Sequence, residues 1–598
     1  LVLGLTAPFF DLYLSGNFTT QIGAPFMYFL DAVSVPDAPG KIVTRKKGGS
    51  TYVYYETERV YNPEKRFNVP KRVVIGKLAV EGDMSQMYPN AKFRALFPGD
   101  PIPGLAEPQI RSNTLRAGSF IVFDKIIREY KLDELLRRIF GESSGMILDL
   151  MCYMIVSENN AGQYYPDYAR NHPLFTKGMR VVSDSTVSRL LSEITDDQIL
   201  TFLDGWNEGQ DHRQRVYISY DSSNKNIQAG ELELAEFGHA KDDKGVPIIN
   251  ISLVFDKNNR VPLFYEEYPG SINDVSQLQY LIDKVHSYRY RNIGFILDRG
   301  YFSRKNIEYM DAMNFSFLMM VKGCKQLVSQ LITENIGNFE AQRHYHISGT
   351  EIYGMTVKRK LNDEDTRNRY FHLCYSALKM ASERSKIEIM LERMAANLKK
   401  IEGKECIVGT PYTDYFNCHY KDEGSKKIFL FAQENQDAIT TALKLCGYFC
   451  LISSEKMTAE EAYLLYRGRD VSEKLFCTDK SFLGSKSMRA HSNEVVSAKI
   501  FIEFLALIVR NRFYNLLKDE IRRLNVRRNY MTVPASIREL EKIEMTRRNG
   551  SLYKLDFALT KTQKAIAQAF GLSQDDILCK VNEISSHLAE LKEQVIAS

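Results

Sequence analysis

Residues 292–321 read "NIGFILDRGYFSRKNIEYMDAMNFSFLMMV" and hold three elements in thirty positions. "NIGFILD" (292–298) is a short apolar run of the kind that forms a strand buried on both faces. "SRKNIEYMDAM" (303–313) reads as a helix, and "FSFLMMV" (315–321) as a second buried strand. Asp298 closes the first strand, at the carboxyl edge where α/β sites gather.

Upstream, "QRVYISYD" (214–221) is a strand that ends on Asp221. "VPIINISLVFD" (246–256) and "RVPLFYEEYP" (260–269) read as a hairpin joined through "KNN", and "DVSQLQYLIDKVHSY" (274–288) as a helix. The order β-β-β-α-β-α-β predicts an α/β fold, a mixed sheet with helices packed against it. In such a sheet the first and fourth strands are able to be neighbours, with Asp221 and Asp298 on one edge.

Farther along, "YRGRDVSEKLFCTDK" (466–480) supplies a third acid. At roughly 100° per residue on a helix over 458–480, Tyr466, Arg469, Glu473 and Lys480 fall within a sector of about 60°. Asp470 is a second acid on nearly the same face. Three converging carboxylates raise one another's pKa and call for cations, and two Mg²⁺ ions would suit phosphoryl transfer. Taken singly, each acid is more often a turn or cap residue, and Asp204, Asp211, Asp256 and Asp274 are rivals of that kind. An ion-pair set with Glu473 on a wet helix is the plain alternative for Arg469 and Lys480.

The spacing Tyr-x2-Arg-x3-Glu-x6-Lys, with "YDSSN" and "GFILDRGYFS" before it, resembles one branch of bacterial insertion-sequence DDE transposases. The likeness covers about 215–321 and 447–515. It implies an RNase H-like core, with Asp221, Asp298 and Glu473 as catalytic residues holding two Mg²⁺ ions, Mn²⁺ being able to substitute. It also implies cleavage at the ends of an insertion element and joining of the 3′-hydroxyls to target DNA. Tyr466, Arg469 and Lys480 would contact the DNA backbone, and a homodimer would pair the two element ends. A nuclease of this fold that only cuts, and a domesticated, non-catalytic DNA-binding protein, are the alternatives. Some relatives flip a base onto an aromatic of the insertion, for which Tyr353, Tyr370 and Phe371 are candidates.

The remaining chain divides by pattern. Residues 1–118 form an N-terminal region whose segment 40–80 is β and basic, able to track a phosphate backbone or simply to be a solvated hairpin. Residues 119–212 are helical, with Ser183 or Ser185 as a cap; a helix-turn-helix bearing Arg189 resembles a DNA-docking module, and a plain bundle is equally open. The core occupies 213–321 and 447–515, separated by a mostly β insertion (322–446) with one long helix. Residues 516–598 are helical, for DNA binding or dimerisation; the basic run around them makes Arg510, Arg512, Arg522 and Arg523 candidate DNA contacts.

The 598 residues carry a formal net charge of +5, too slight to argue for nucleic acid by itself. Nine Cys are scattered with no C-x-x-C pair, which excludes a zinc ribbon and a disulfide framework and predicts a reducing, cytoplasmic home. No eighteen apolar residues run uninterrupted, so no membrane span is expected. The chain opens on Leu, and its apolar start lacks a basic n-region, so a signal peptide is not expected either.

Overall fold

The computed structural model describes residues 28, 32–63, 66–80, 82–97, 100, 111–211, 215–227, 232–238, 245–272, 274–288, 290, 292–321, 325–362, 364–365, 367–424, 426–469, 483, 487–525, 528–547 and 552–597. Two units are separable, Leu1–Gln109 and Ile110–Ser598. In the first, the basic β segment becomes a five-stranded antiparallel sheet, ordered Val33–Ser34, Gln86–Pro89, Phe67–Leu78, Ser50–Asn62, Ile42–Lys47. Val53, Ile75, Leu78, Met87 and Phe93 make its small core.

The second unit runs from the short strand Thr114–Arg116 into a series of helices. Ser183 caps Asp184–Glu193 by accepting from the Thr186 amide, and Thr195 with Gln198 forms a capping box on Asp196–Glu208. The stretch Leu132–Ser157 is long and apolar enough to cross a membrane by composition, yet two-thirds of its apolar window (67%) is buried inside the fold. It is packed as core. Trp206 donates through Nε1 to the Pro262 carbonyl at 2.9 Å, tying these helices to the sheet.

The large sheet has nine strands: β1 (Val216–Ile227), β2 (Ile248–Asp256), β3 (Val261–Pro269), β4 (Ile293–Leu297), β5 (Ser316–Met320), β6 (Ile352–Arg359), β7 (Arg369–Ser376), β8 (Tyr448–Ser453) and β9 (Ser487–Met488). Its order is β6-β7-β8-β5-β4-β1-β2-β3, with β9 also on β1. β1, β4 and β5 are mutually parallel, whereas β2, β3 and β8 enter antiparallel. The mixed sheet read from the sequence is therefore present. Tyr220, Phe255, Phe264 and Phe295 are wholly buried in it, each side chain contributing about 1.5–3 kcal/mol by leaving water. Helices α1 (Asp274–Ser287) and α2 (Arg304–Ala312) follow where expected.

Two expectations need correction. β1 does not end on Asp221; it continues through Ser222, Ser223, Asn224, Lys225 and Asn226 to Ile227. Those polar residues look like a turn in the sequence, but β2 pairs with them as far as Asn226 and all are buried. The long helix Asn493–Leu524 supplies the compensation: Glu503 accepts from the Lys225 ammonium at 2.5 Å, both side chains being at most 4% exposed. The second correction concerns 322–446. Helices Lys325–Asn335, Ala377–Lys400 and Gln436–Lys444 outweigh its four strands of eight or nine residues. Two of those strands, β6 and β7, simply extend the main sheet through β8. Only the hairpin Phe416–Glu423/Lys426–Glu434 stands apart, over a core including Leu391, Met394 and Phe429.

Glu503→Ala removes the carboxylate partner of a buried ammonium, and an expected loss of about 3–5 kcal/mol follows. Replacing the pair together, Lys225→Met with Glu503→Leu, is expected to cost far less. Urea unfolding midpoints of the three proteins check this; equal losses would contradict it.

Candidate active site

Asp298 follows β4 directly, in extended conformation, at the start of the short turn Arg299–Tyr301. Its carboxylate is 37% exposed, so a ligand can reach it. The Tyr466 hydroxyl donates to Asp298 Oδ1 at 3.3 Å, and the Arg469 guanidinium stands 3.8 Å from the same oxygen. Arg469 also lies over the Tyr466 ring, 5.5 Å from its centroid, and its side chain is only 11% exposed. Tyr466 and Arg469 thus both address the same carboxylate oxygen of Asp298.

Asp221 reaches this place through strand register. β1 and β4 pair in parallel from Val216–Ile293 to Tyr220–Leu297. The next step along both chains is 221 beside 298, on strands about 4.8 Å apart. Beyond that point β4 turns away, and β9 takes up the same edge of β1 at Asn226–Ile227. Among the described residues no strand pairs with positions 221–225 on that edge, while β2 covers the other.

The turn after Asp298 is stapled to β1, which the sequence did not disclose. Tyr301 donates to Ser222 Oγ at 3.1 Å, its ring lies 5.0 Å from that of Tyr220, and Asn306 donates to the Tyr301 carbonyl at 3.0 Å. The nearest sequence signal is the "GYFS" that follows the acid.

Helix α3 (Ala459–Arg467) positions Tyr466. A capping box of Thr458 and Glu461 starts it, and Gly468 ends it. One helix face over 458–480 is therefore not what joins Tyr466 to Arg469; they meet across the helix C-terminus. Glu473, Lys480 and Asp470 lie outside the described residues, as does the side chain of Asp221. Among the described residues no three His, Cys, Asp or Glu groups converge on a metal position. The described donor, a half-exposed carboxylate with a second acid in the adjacent register position, has the hard-oxygen chemistry that Mg²⁺ prefers.

Of the other expected DNA contacts, Arg510 is corrected outright. It is 4% exposed, and burial pushes its guanidinium down to about 10. Arg512 pairs with Glu129. Arg522 and Arg523 are exposed but pair with Asp519 and Glu520, at 3.1 and 2.6 Å. Phe371 is wholly buried and is no base platform, whereas Tyr353 and Tyr370 are partly exposed. Asp256 is a turn residue, accepting from the Asn258 and Asn259 amides.

A family model described as a transposase DDE domain matches residues 220–509. Just under half of the chain thus matches a transposase DDE domain. The match begins at Tyr220, beside Asp221, and takes in β4, α3 and the start of helix Asn493–Leu524. No match is found among curated proteins. Among solved structures, the cryo-EM structure of the piggyBac transposase synaptic complex with hairpin DNA aligns over 79% of this chain and 82% of that one. Identity is 9% and the TM-score 0.33, and at that score the likeness decides nothing.

Within the DDE domain, Lys257 fixes the end of α3. Placed just after β2, it donates to the Leu464 and Leu465 carbonyls at 3.2 and 2.8 Å, the last-turn acceptors of the helix. Burial pushes its ammonium down to about 8. Gly468 has ordinary helical angles, φ −62° and ψ −14°, so backbone freedom does not explain it. Space does: a methyl group there would overlap the end of the Lys257 side chain. An alanine at 468 would evict Lys257 from the carbonyls and loosen the turn that holds Tyr466 and Arg469 on Asp298.

Gly468→Ala and Lys257→Ala are each expected to slow DNA cleavage by about tenfold. The double variant is expected to be no slower than Lys257→Ala alone, because the overlap is gone. Single-turnover cleavage rates of the three variants check this; additive losses would contradict it.

Proposed function

We propose that this chain is a DNA transposase with an RNase H-like core, cutting the ends of its element and joining the 3′-hydroxyls to target DNA. The observation that carries the reading is the β1–β4 register, which sets positions 221 and 298 side by side in a sequence that matches a DDE domain. Asp221, Asp298 and Glu473 would hold two Mg²⁺ ions, with Mn²⁺ able to substitute. Divalent ions bound there would activate a water or 3′-hydroxyl and stabilise the leaving oxygen.

The chain's own residues do the rest. Tyr466 donates to Asp298 and fixes the rotation of its carboxylate. Arg469 offers a planar fork suited to two phosphate oxygens, and Lys480 a point charge for a third. Their binding to the DNA backbone positions the scissile phosphate without reading sequence. A homodimer pairing two element ends completes the proposal.

Asp221→Asn, Asp298→Asn and Glu473→Gln are each expected to lower cleavage of an element-end duplex by more than about 10³-fold. Chelation is expected to stop the wild type, and Mg²⁺ or Mn²⁺ to restore it. Near-normal cleavage in any of the three variants would overturn the assignment of that residue. A pre-cut end with a free 3′-hydroxyl separates transposase from nuclease: joining to a target plasmid is expected, and cutting without joining would leave only a nuclease.

A further inference from the structure

The cations of this chain are unevenly placed. Residues 41–78 hold ten Lys or Arg against three Glu, a balance of +7. The other 560 residues hold 69 against 71, a balance of −2. The helical stretch 119–212 is acidic, with nine Lys or Arg against fifteen Asp or Glu. Phosphate affinity follows such local concentration rather than the net charge of the whole.

Residues 41–78 are the three long strands Ile42–Lys47, Ser50–Asn62 and Phe67–Leu78 with their turns. One face of this ribbon buries Val53, Ile75 and Leu78. Register sets Arg45, Tyr52 and Lys77 side by side across the three strands, on the opposite face. Arg45 lies over the Tyr54 ring at 5.6 Å, and Arg45, Lys46 and Lys47 are exposed. The two described acids are already engaged: Glu56 is clamped by Arg59 and Arg72, and Glu58 by Lys71 at 2.7 Å. The Arg59 hydrogen bond heads the causes holding Glu56 below the usual carboxylate range.

Among the described residues, the ribbon past Glu56 and Arg72 has two strands, paired out to Asn62–Phe67, and no third strand alongside. Its tip exposes Arg59, Tyr61, Arg66 and Phe67. A two-stranded ribbon is marginal by itself in water and has the width to enter a major groove of about 12 Å.

We propose that residues 41–78 form a duplex-DNA-binding surface, the Arg45–Tyr52–Lys77 face lying on the phosphate backbone and the two-stranded tip reaching into the groove. This rests on DNA being the substrate, and it assigns DNA contact away from the acidic helices of 119–212.

The test uses the full chain and a 30-base-pair duplex, with affinity measured by fluorescence anisotropy across a salt series. The triple variant Arg45→Gln, Lys47→Gln, Arg66→Gln changes only exposed side chains. A loss of at least about tenfold is expected, with the salt slope lower by about two to three. Arg137→Gln with Arg138→Gln, on the helical stretch, is expected to leave both unchanged. Unchanged affinity and slope in the triple variant, with an unaltered melting temperature, would overturn the proposal; the tip variant Arg59→Gln, Arg66→Gln repeats the test at a second place. Equal affinity of the wild type for single-stranded RNA or for phosphatidylglycerol vesicles would overturn the assignment to duplex DNA. Asp298→Asn is expected to bind as wild type does, so retained cleavage in that variant would sink the catalytic reading and leave this surface standing.

Discussion

Two acidic positions, 221 and 298, fall side by side on adjacent strands, and much of the DDE domain can be understood as the means of holding that register. The parallel ladder of β1 and β4 sets the spacing through backbone hydrogen bonds, which no side-chain rotation can relax. Positive charge then arrives from a separate element. Arg469, just beyond α3, stands by Asp298, and Tyr466 donates to the same oxygen. α3 is itself anchored, because Lys257 at the end of β2 holds its last carbonyls. The hairpin β1–β2 thus carries one acid and also pins the helix that attends the other.

The same logic runs beneath the site. β1 continues past Asp221 as a buried polar strand, an arrangement that costs free energy unless each group finds a partner. Glu503 answers Lys225, and Tyr301 answers Ser222. Asp311 and Asp365 hold the buried Arg369 of β7, which locks the added strands to α2. Interactions of this kind add little net stability, but they fix one register where a slip would carry Asp221 to the other face of the sheet.

The five-residue apolar strands β4 and β5 were legible because strands buried on both faces read as continuous apolar runs. Capping was legible too: Ser183 starts its helix by a side-chain hydrogen bond. The extension of β1 was not, since Ser, Asn and Lys are strand residues only where a helix such as Asn493–Leu524 supplies their partners. Arg510 misled for a related reason. Basic periodicity on a helix cannot say which cations face inward, and this one is buried. The end of α3 at Gly468 was hidden because helical spacing continues through it, and the reason for the stop lies in Lys257, some two hundred residues away. Of the candidate site, the adjacency of β1 and β4 was readable from strand order, whereas the hold of Tyr466 and Arg469 on Asp298 needed three dimensions.

Whether Asp221, Asp298 and the end of α3 enclose one metal position is tested most directly by loading the protein with Fe²⁺ and mapping hydroxyl-radical cuts in its own backbone. Cuts are expected at three places, around 221, around 298 and around 466–473, and each should fade when Mg²⁺ competes. Cuts confined to other segments, or the same three cuts persisting undiminished in Asp298→Asn, would contradict a metal site built on this register.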